Sequence, residues 1–212
     1  GHTIVKPVPS LFSLSTSDNS LSNCSGISLI AQVKLIVNNE KFHEKGSILI
    51  THKGFSGPVI LRLSAFGART LHENNYIGKL KINWICISDN EARSLIKLYK
   101  SNNGNRYLFK NKPFKDLPKS LWENFLLSLK IDNQLRWADL SKTNISSIVK
   151  CLTNNSFEIK NRGPYGEEFV TAGGVSLNEI NFKTMESKLC KGLFFAGEIL
   201  DIDGITGAFN FQ

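Results

Sequence analysis

From Ile27 to Val37 the chain alternates well: Leu29, Ala31, Val33, Leu35 and Val37 fall on one face, Gln32 and Lys34 on the other. A helix would scatter those apolar residues around its circumference, whereas a strand gathers them on one side. The segment reads as a half-buried strand, so the chain must build a sheet with a core behind it. Asn38-Asn39 turns the chain, and a second strand runs through Ile48-Leu49-Ile50. Gly54-Phe55-Ser56-Gly57-Pro58 interrupts it. Pro58 suits a first helical position, and Ile60, Leu63, Phe66 and Gly67 recur at helical spacing to about His72. A further strand is expected over 79–87, with Leu80, Ile82, Trp84 and Cys86 on one face. Ahead of these, beyond Pro7 and Pro9, the Ser-rich stretch Ser13 to Ser25 reads as a loop or irregular edge.

Beyond Ser88 the period lengthens. Ser88 or Asp89 caps a helix carrying Ala92, Leu95, Ile96 and Tyr99. Pro118 starts another, whose stripe is Leu121, Trp122, Phe125, Leu126 and Leu129, and Ser141 opens a third through Ile145, Ile148, Val149 and Leu152. Trp84, Trp122 and Trp137 are expected to pack rather than to serve as ligand platforms. Up to residue 160 the chain therefore reads as α+β, a β-rich half resembling a barrel plus a small helical cluster.

The closing segment differs in kind. Phe169 to Val175 and Gly192-Leu193-Phe194-Phe195-Ala196-Gly197 are short apolar runs of buried-strand type with glycines at or near their ends. The second passes into Glu198 and then Asp201-Ile202-Asp203-Gly204-Ile205-Thr206-Gly207-Ala208. The carboxyl edge of a parallel sheet, where α/β folds hold ligands, has this character. Gly197 would let a ligand approach the backbone without meeting a Cβ. Glu198 would repel phosphate but accept hydrogen bonds from sugar or polyol hydroxyls. Gly204, Thr206 and Gly207 free backbone N–H groups ahead of a helix start near Asn210, which favours anions such as pyrophosphate. Together these features suit a dinucleotide with a polyol arm. The plainer alternative is that the glycines make turns and the acids are solvated.

Composition bounds the rest. At 212 residues, 41% hydrophobic and 21% charged, the chain has the make-up of one or two globular units. No apolar run approaches the ~18 residues of a membrane helix. Gly1-His2-Thr3-Ile4-Val5 lacks the basic-then-apolar order of a signal peptide, so a cytoplasmic location and no membrane partner are expected. With no initiator Met and no polar tail after Asn210-Phe211-Gln212, both ends read as cuts. The net charge of +8 is uneven, with 23 bases against 11 acids over 1–163 and 3 against 7 over 164–212. Lys far outnumbers Arg and is scattered, so a nucleic-acid partner is not expected. Cys24, Cys86, Cys151 and Cys190 show no Cys-x-x-Cys spacing, which suits buried thiols in a reducing compartment. His2, His43, His52 and His72 form no metal-ligand box, and no metal is expected.

Gly192 to Glu198 resembles the second flavin motif of two-dinucleotide-domain flavoproteins, in which a strand ends Ala-x-Gly-Asp and the acid holds the FAD ribityl chain. A longer similarity covers the whole chain. Phe169 to Val175, Thr184-Met185-Glu186-Ser187-Lys188 and Leu193 to Gln212 resemble bacterial NAD(P)/FAD-dependent oxidoreductases known as aminoacetone oxidases or as reductases of bile-acid dehydroxylation. So do Gly1 to Val5, Pro7-Val8-Pro9-Ser10-Leu11 and Thr51-His52-Lys53-Gly54-Phe55-Ser56-Gly57-Pro58, while the middle, 88–160, is looser.

The resemblance implies a Rossmann-type α/β FAD domain interrupted by an insert. Residues 1–8 would end its first segment and 9–163 form the insert, β-rich over 9–88, helical over 89–155 and a returning strand over 156–163. Residues 164–212 would close the FAD domain. It further implies FAD, with NAD(P)H as electron donor and hydride transfer to an unidentified small substrate. The cofactor residues would be Gly197, Glu198, Asp203, Gly204, Ile205, Thr206, Gly207, Ala208 and Asn210. Glu198 or Asp203 would take ribityl or ribose hydroxyls, and Gly204, Thr206 and Gly207 phosphate or the ring edge. Thr171, Gly173 and Gly174 would lie near the ring or substrate. No proton donor stands out; His52 and Tyr165 are conceivable, though a His beside a Gly-rich turn more often makes local hydrogen bonds. The insert would cover the substrate side of the flavin or fix the domain arrangement, the first being preferred.

Two departures bear on this. No Gly-x-Gly-x-x-Gly fingerprint occurs in the chain, and the family's Gly-Gly-aromatic-Asn is here Gly207-Ala208-Phe209-Asn210. The chain alone is thus expected to bind FAD poorly and to be inactive, its partners being the remaining FAD-domain segments. The competing reading is a non-enzymatic interaction module whose basic body engages an anionic partner.

Overall fold

A computed structural model describes residues 1–163 and 170–210 of the chain. In it the alternating segment is the middle of a closed antiparallel barrel. The chain opens with β1 (Ile4–Ser10) and β2 (Leu14–Thr16), then runs through β3 (Ser28–Val37), β4 (Glu40–Thr51) and β5 (Gly54–Ser56). Helices α1 (Pro58–Phe66) and α2 (Ala68–Glu73) precede β6 (Gly78–Asn83). Three helices follow, α3 (Asp89–Asn102), α4 (Lys119–Ser128) and α5 (Lys142–Thr153), and β7 (Asn155–Arg162) returns to the sheet. The barrel closes in the order β2-β5-β4-β3-β6-β7. Beyond it lie β8 (Val170–Val175), the short hairpin β9 (Ile180–Asn181) and β10 (Glu186–Ser187), and α6 (Gly207–Asn210).

The period-two pattern does what it dictates. Ala31, Val33, Leu35 and Val37 are buried and Gln32 is exposed. The facing strands supply Ile48 and Ile50, Leu80 and Ile82, and Phe157 and Ile159, all buried. Phe55 meets Phe157 at 4.8 Å between ring centroids, so aromatic rings help fill the barrel interior.

Where the chain leaves the barrel, the structure differs from the sequence expectation. The strand expected to reach residue 87 stops at Asn83. Asn83 turns the chain by donating to the Ile87 carbonyl at 2.8 Å and accepting from Ile85 N–H at 3.2 Å, and Cys86 sits at φ 55°. The helix expected through His72 is two helices joined at Gly67, whose added Cβ would lie 3.2 Å from the Phe42 ring. Pro58 opens α1 as expected, but Pro118 caps α4 rather than entering it. Ser88 builds a reciprocal cap with Glu91, and that hydrogen bonding holds the Glu91 carboxyl below its ordinary range. Ser141 caps α5 through the Asn144 N–H at 3.0 Å. On α3, Ala92 and Ile96 face inward while Leu95 is exposed.

Barrel and helices share one core. Trp84 lies 6.3 Å from Phe55 and 5.8 Å from Phe125, and Trp122 stacks on Trp137 at 6.3 Å. All three indoles are buried, as expected of packing residues. Trp122 and Trp137 donate to the Leu108 and Asn111 carbonyls at 3.0 and 3.2 Å. Among the described residues no helix is long and apolar enough to cross a membrane.

The four thiols are free and do not share one environment. Cys24 is buried, Cys86 and Cys151 partly so, and Cys190, contrary to the expectation of buried thiols, is exposed. Burial pushes the Cys151 thiol up to about 12.

Leu35→Ala should cost about 2–5 kcal/mol in urea unfolding, because it empties the barrel interior. Ile30→Ala, on the exposed side of the same strand, should stay within about 0.5 kcal/mol. Alkylation of the native protein at mildly alkaline pH should label Cys190 and spare Cys151, which remains protonated, as peptide mass spectrometry would show.

Candidate cofactor site in the closing segment

The two ends of the described chain meet. β1 pairs antiparallel with β8, from Ile4 opposite Val175 to Ser10 opposite Val170, with a register shift between Val5 and Val8. Val8 and Ala172 pack with Ala68 of α2, which fixes this seam against the barrel. A second small core, Val175, Ile180 and Leu200, holds the closing segment together.

The run expected as a strand, Gly192 to Gly197, is not one. Its one ladder contact among the described residues is a single bridge from Phe194 to Glu186, and Phe194 is 60% exposed. Its backbone finds no parallel neighbour among the described residues, so it passes as extended chain into the short turn Gly197–Ile199. Among the described residues the parallel pairing of this segment is a single bridge, Val175 to Leu200. α6 spans a single turn among the described residues and starts three residues before the expected Asn210, too short for an anion site.

The carboxylates singled out by sequence are brought together over the backbone of β8, Glu198 half-buried and Asp203 exposed. Glu198 Oε1 accepts the Thr171 backbone N–H in a short hydrogen bond. Asp203 Oδ1 accepts the Gly173 N–H at 3.2 Å, and its Oδ2 lies 3.3 Å from Arg69 Nη2. The same Nη2 reaches Asp201 Oδ1 at 3.1 Å, while Arg69 Nη1 donates to the Lys6 carbonyl at 3.3 Å. Arg69 therefore ties α2, β1 and the closing loop together. Sequence reasoning missed it, because an isolated Arg on an amphipathic helix carries no signal of its distant partners.

Gly173 and Gly174 serve close packing. They sit at φ 99° and 145°; an added Cβ on Gly173 would lie 2.6 Å from the Lys6 carbonyl oxygen, and one on Gly174 would collide with that of Ile199. The backbone they admit is the protein's own. Gly197 sits at φ 72° in its turn, Ile205 and Ala208 are exposed, and Gly204 and Thr206 each have partners. For Gly207 and Asn210 only the backbone is described, and Tyr165 lies outside the described residues. His52 is exposed on the turn between β4 and β5.

Electrostatically the site is a cation between two acids, closed over the amides of β8. Asp203 has both oxygens engaged, whereas Glu198 Oε2 receives no hydrogen bond from the described residues. Glu198 can therefore still accept a hydroxyl; Asp203 would first have to release Arg69 or Gly173.

A six-stranded antiparallel barrel with a helical cluster, both ends of which return to one seam, defines the class. The chain belongs to the HI0933-like protein barrel and H2TH domain family, whose model matches residues 8–170. It is 29% identical over 214 residues to a ribosomal RNA dihydrouridine synthase of Haemophilus influenzae, covering 100% of this chain and 50% of that protein. A protein of the same name from Escherichia coli is 29% identical over 178 residues, 82% of this chain and 40% of that one. A 3-dehydro-bile acid delta(4,6)-reductase of Clostridium scindens is 25% identical over 215 residues, covering 100% of this chain and 52% of that protein. The chain thus spans about half the length of the curated relatives it matches, or less.

Gly174→Ala should open the seam, at a local cost of about 1–3 kcal/mol. Limited trypsin digestion should then cut faster at Lys183, Lys188 and Lys191. Gly104→Ala, away from the seam, where an added Cβ would lie 3.4 Å from the Ala138 Cβ, should change the digestion far less. Equal effects would mean that the seam does not hold this segment.

Proposed function

We propose that this chain is the barrel-and-helix domain, with one flank of the flavin domain, of an FAD-dependent oxidoreductase that saturates a uracil double bond in ribosomal RNA. The observation that carries the reading is the chemistry shared by the relatives' names. Making dihydrouridine saturates a carbon–carbon double bond conjugated to a carbonyl, and so does reducing the ring double bonds of a 3-oxo bile acid. One reaction type on two unrelated substrates points to a common reductive centre and a variable substrate surface. Reduced FAD, when bound, supplies the hydride, a proton completes the saturated bond, and NAD(P)H restores the reduced cofactor.

Among this chain's residues, Glu198 fits a cofactor hydroxyl through its unengaged oxygen, while the Arg69–Asp203 contact keeps β8 in place behind it. The closing segment also exposes Phe194, Ile199 and Phe209 at 60%, 56% and 54%, an apolar surface of the kind that further protein covers. We assign the remaining FAD-domain segments as that cover. RNA is preferred to a steroid because two of the relatives are named for it and the insert is basic. The expectation of no nucleic-acid partner is set aside in this reading.

The full-length protein should purify yellow, bleach with NADH or NADPH, and add two hydrogen atoms to uridine in deproteinised ribosomal RNA, read by nucleoside mass spectrometry. Glu198→Ala in that protein should lower flavin retention about tenfold, the loss of one charge-assisted hydrogen bond. A colourless protein that releases no flavin on denaturation would end the oxidoreductase reading. A yellow enzyme that reduces a 3-oxo steroid and leaves uridine unchanged would end the RNA part alone.

A further inference from the structure

We propose that the outer face of β4, β3 and β6 docks the phosphate backbone of a helical RNA, through Lys34, Lys45 and Lys81. This rests on the RNA reading above and names the surface that would serve it.

Register puts the cations side by side. Lys34 stands directly opposite His43 on one side and Lys81 on the other, and in the next row Gln32 stands opposite Lys45 and Asn83. Directly opposed side chains have Cβ atoms about 4.5–5.5 Å apart, and like charges so placed destabilise a sheet. A face with only a structural role would interleave acids, as the neighbouring pair does: Lys79 meets Glu158 across β6 and β7 at 2.9 Å. Lys34, Lys45 and Lys81 have no such ion pair among the described residues. Of the described residues lining the groove, Glu44 is the one carboxylate, and it is held by Arg62 at 3.1 and 3.0 Å. The positive charge is left for something outside the chain.

The shape and chemistry of the face select the occupant. These side chains line an open groove of about 730 Å³, bordered by Thr153 and Asn154 at the end of α5. Among the described residues no Phe, Tyr or Trp lines it and His43 is its single ring, so a run of unpaired bases finds no series of stacking surfaces. Point charges beside the Gln32 amide are suited to phosphates and 2′-hydroxyls, the groups a helical RNA turns outward. Spaced lysines on adjacent strands escape a sequence scan for clustered bases, because the cluster forms only across the ladder.

The test is binding of this chain to a fluorescently labelled RNA hairpin across a range of KCl concentrations. Lys34→Gln with Lys81→Gln should weaken binding about tenfold and reduce the slope of log affinity against log salt by about 2. The control pair Lys97→Gln with Lys115→Gln should change affinity less than about twofold, both sites lying off this face. Thermal melting should show the first pair at least as stable as the parent, since opposed like charges are removed. Equal losses in both pairs, or no binding by the parent at low salt, would overturn the proposal. So would competition by polyglutamate or tripolyphosphate as effective as unlabelled hairpin, because the face would then take anions in general. The same substitutions in the full-length protein should leave flavin content and NAD(P)H bleaching unchanged. Colourless protein that still binds RNA through this face would instead count against the flavin reading alone.

Discussion

The structure turns on Trp84, which occupies the point where barrel and helices meet. Its backbone N–H leaves the sheet ladder and donates to the Leu152 carbonyl of α5 at 2.8 Å, while its ring bridges Phe55 in the barrel and Phe125 in α4. That contact sets the course of the chain on both sides. β6 has to end at Asn83, and α5 is held where its last turn delivers Asn155 straight into β7. Since β7 joins β6 to β2, the barrel closes only when the helices are in place. One hydrophobic cluster accordingly runs through both. A barrel missing that insert would leave two strand edges unpaired, the condition that closure removes.

The seam between β1 and β8 depends on a different device, close backbone approach. Two consecutive glycines at positive φ admit the carbonyls of Lys6 and Ile199, and Arg69 then holds two acids and a carbonyl around them. The ion pairs are partly solvent-exposed, so they orient the closing loop more than they stabilise it. This arrangement leaves Glu198 with one oxygen engaged and one available. The residues that sequence alone suggests for a ligand are thus largely occupied in holding the segment that would present it.

Legibility in the sequence followed the range of the interaction. Ser88, Ser141 and Pro58 announced their helices because capping is settled within a few residues. The strand at Ala31 to Val37 was legible because alternation is local and its buried face admits little else. Gly192 to Gly197 was misleading for the same reason. Its composition is that of a buried strand, but a strand exists only with a neighbour, and the ladder beside it is a single bridge. The paired-charge face escaped notice because Lys34, Lys45 and Lys81 are far apart in sequence. The role of Gly173 and Gly174 was half legible: their need for an unhindered approach could be read, but not that the approaching backbone is Lys6 and Ile199.

The sequence by itself determined the pieces: an alternating sheet, three capped helices, buried indoles and an acidic, glycine-rich closing segment on a basic body. These follow from periodicity, steric freedom and charge, which a residue carries wherever the chain goes. A barrel was expected, but only the tertiary structure decided that its closure runs through Trp84. Only it decided that the first strand pairs with β8 and that Arg69 takes up the acids of the closing loop. It also set three lysines side by side with no acid between them. Each of these joins residues distant along the chain, and such contacts are settled by the collective packing of the core and the register of the ladder.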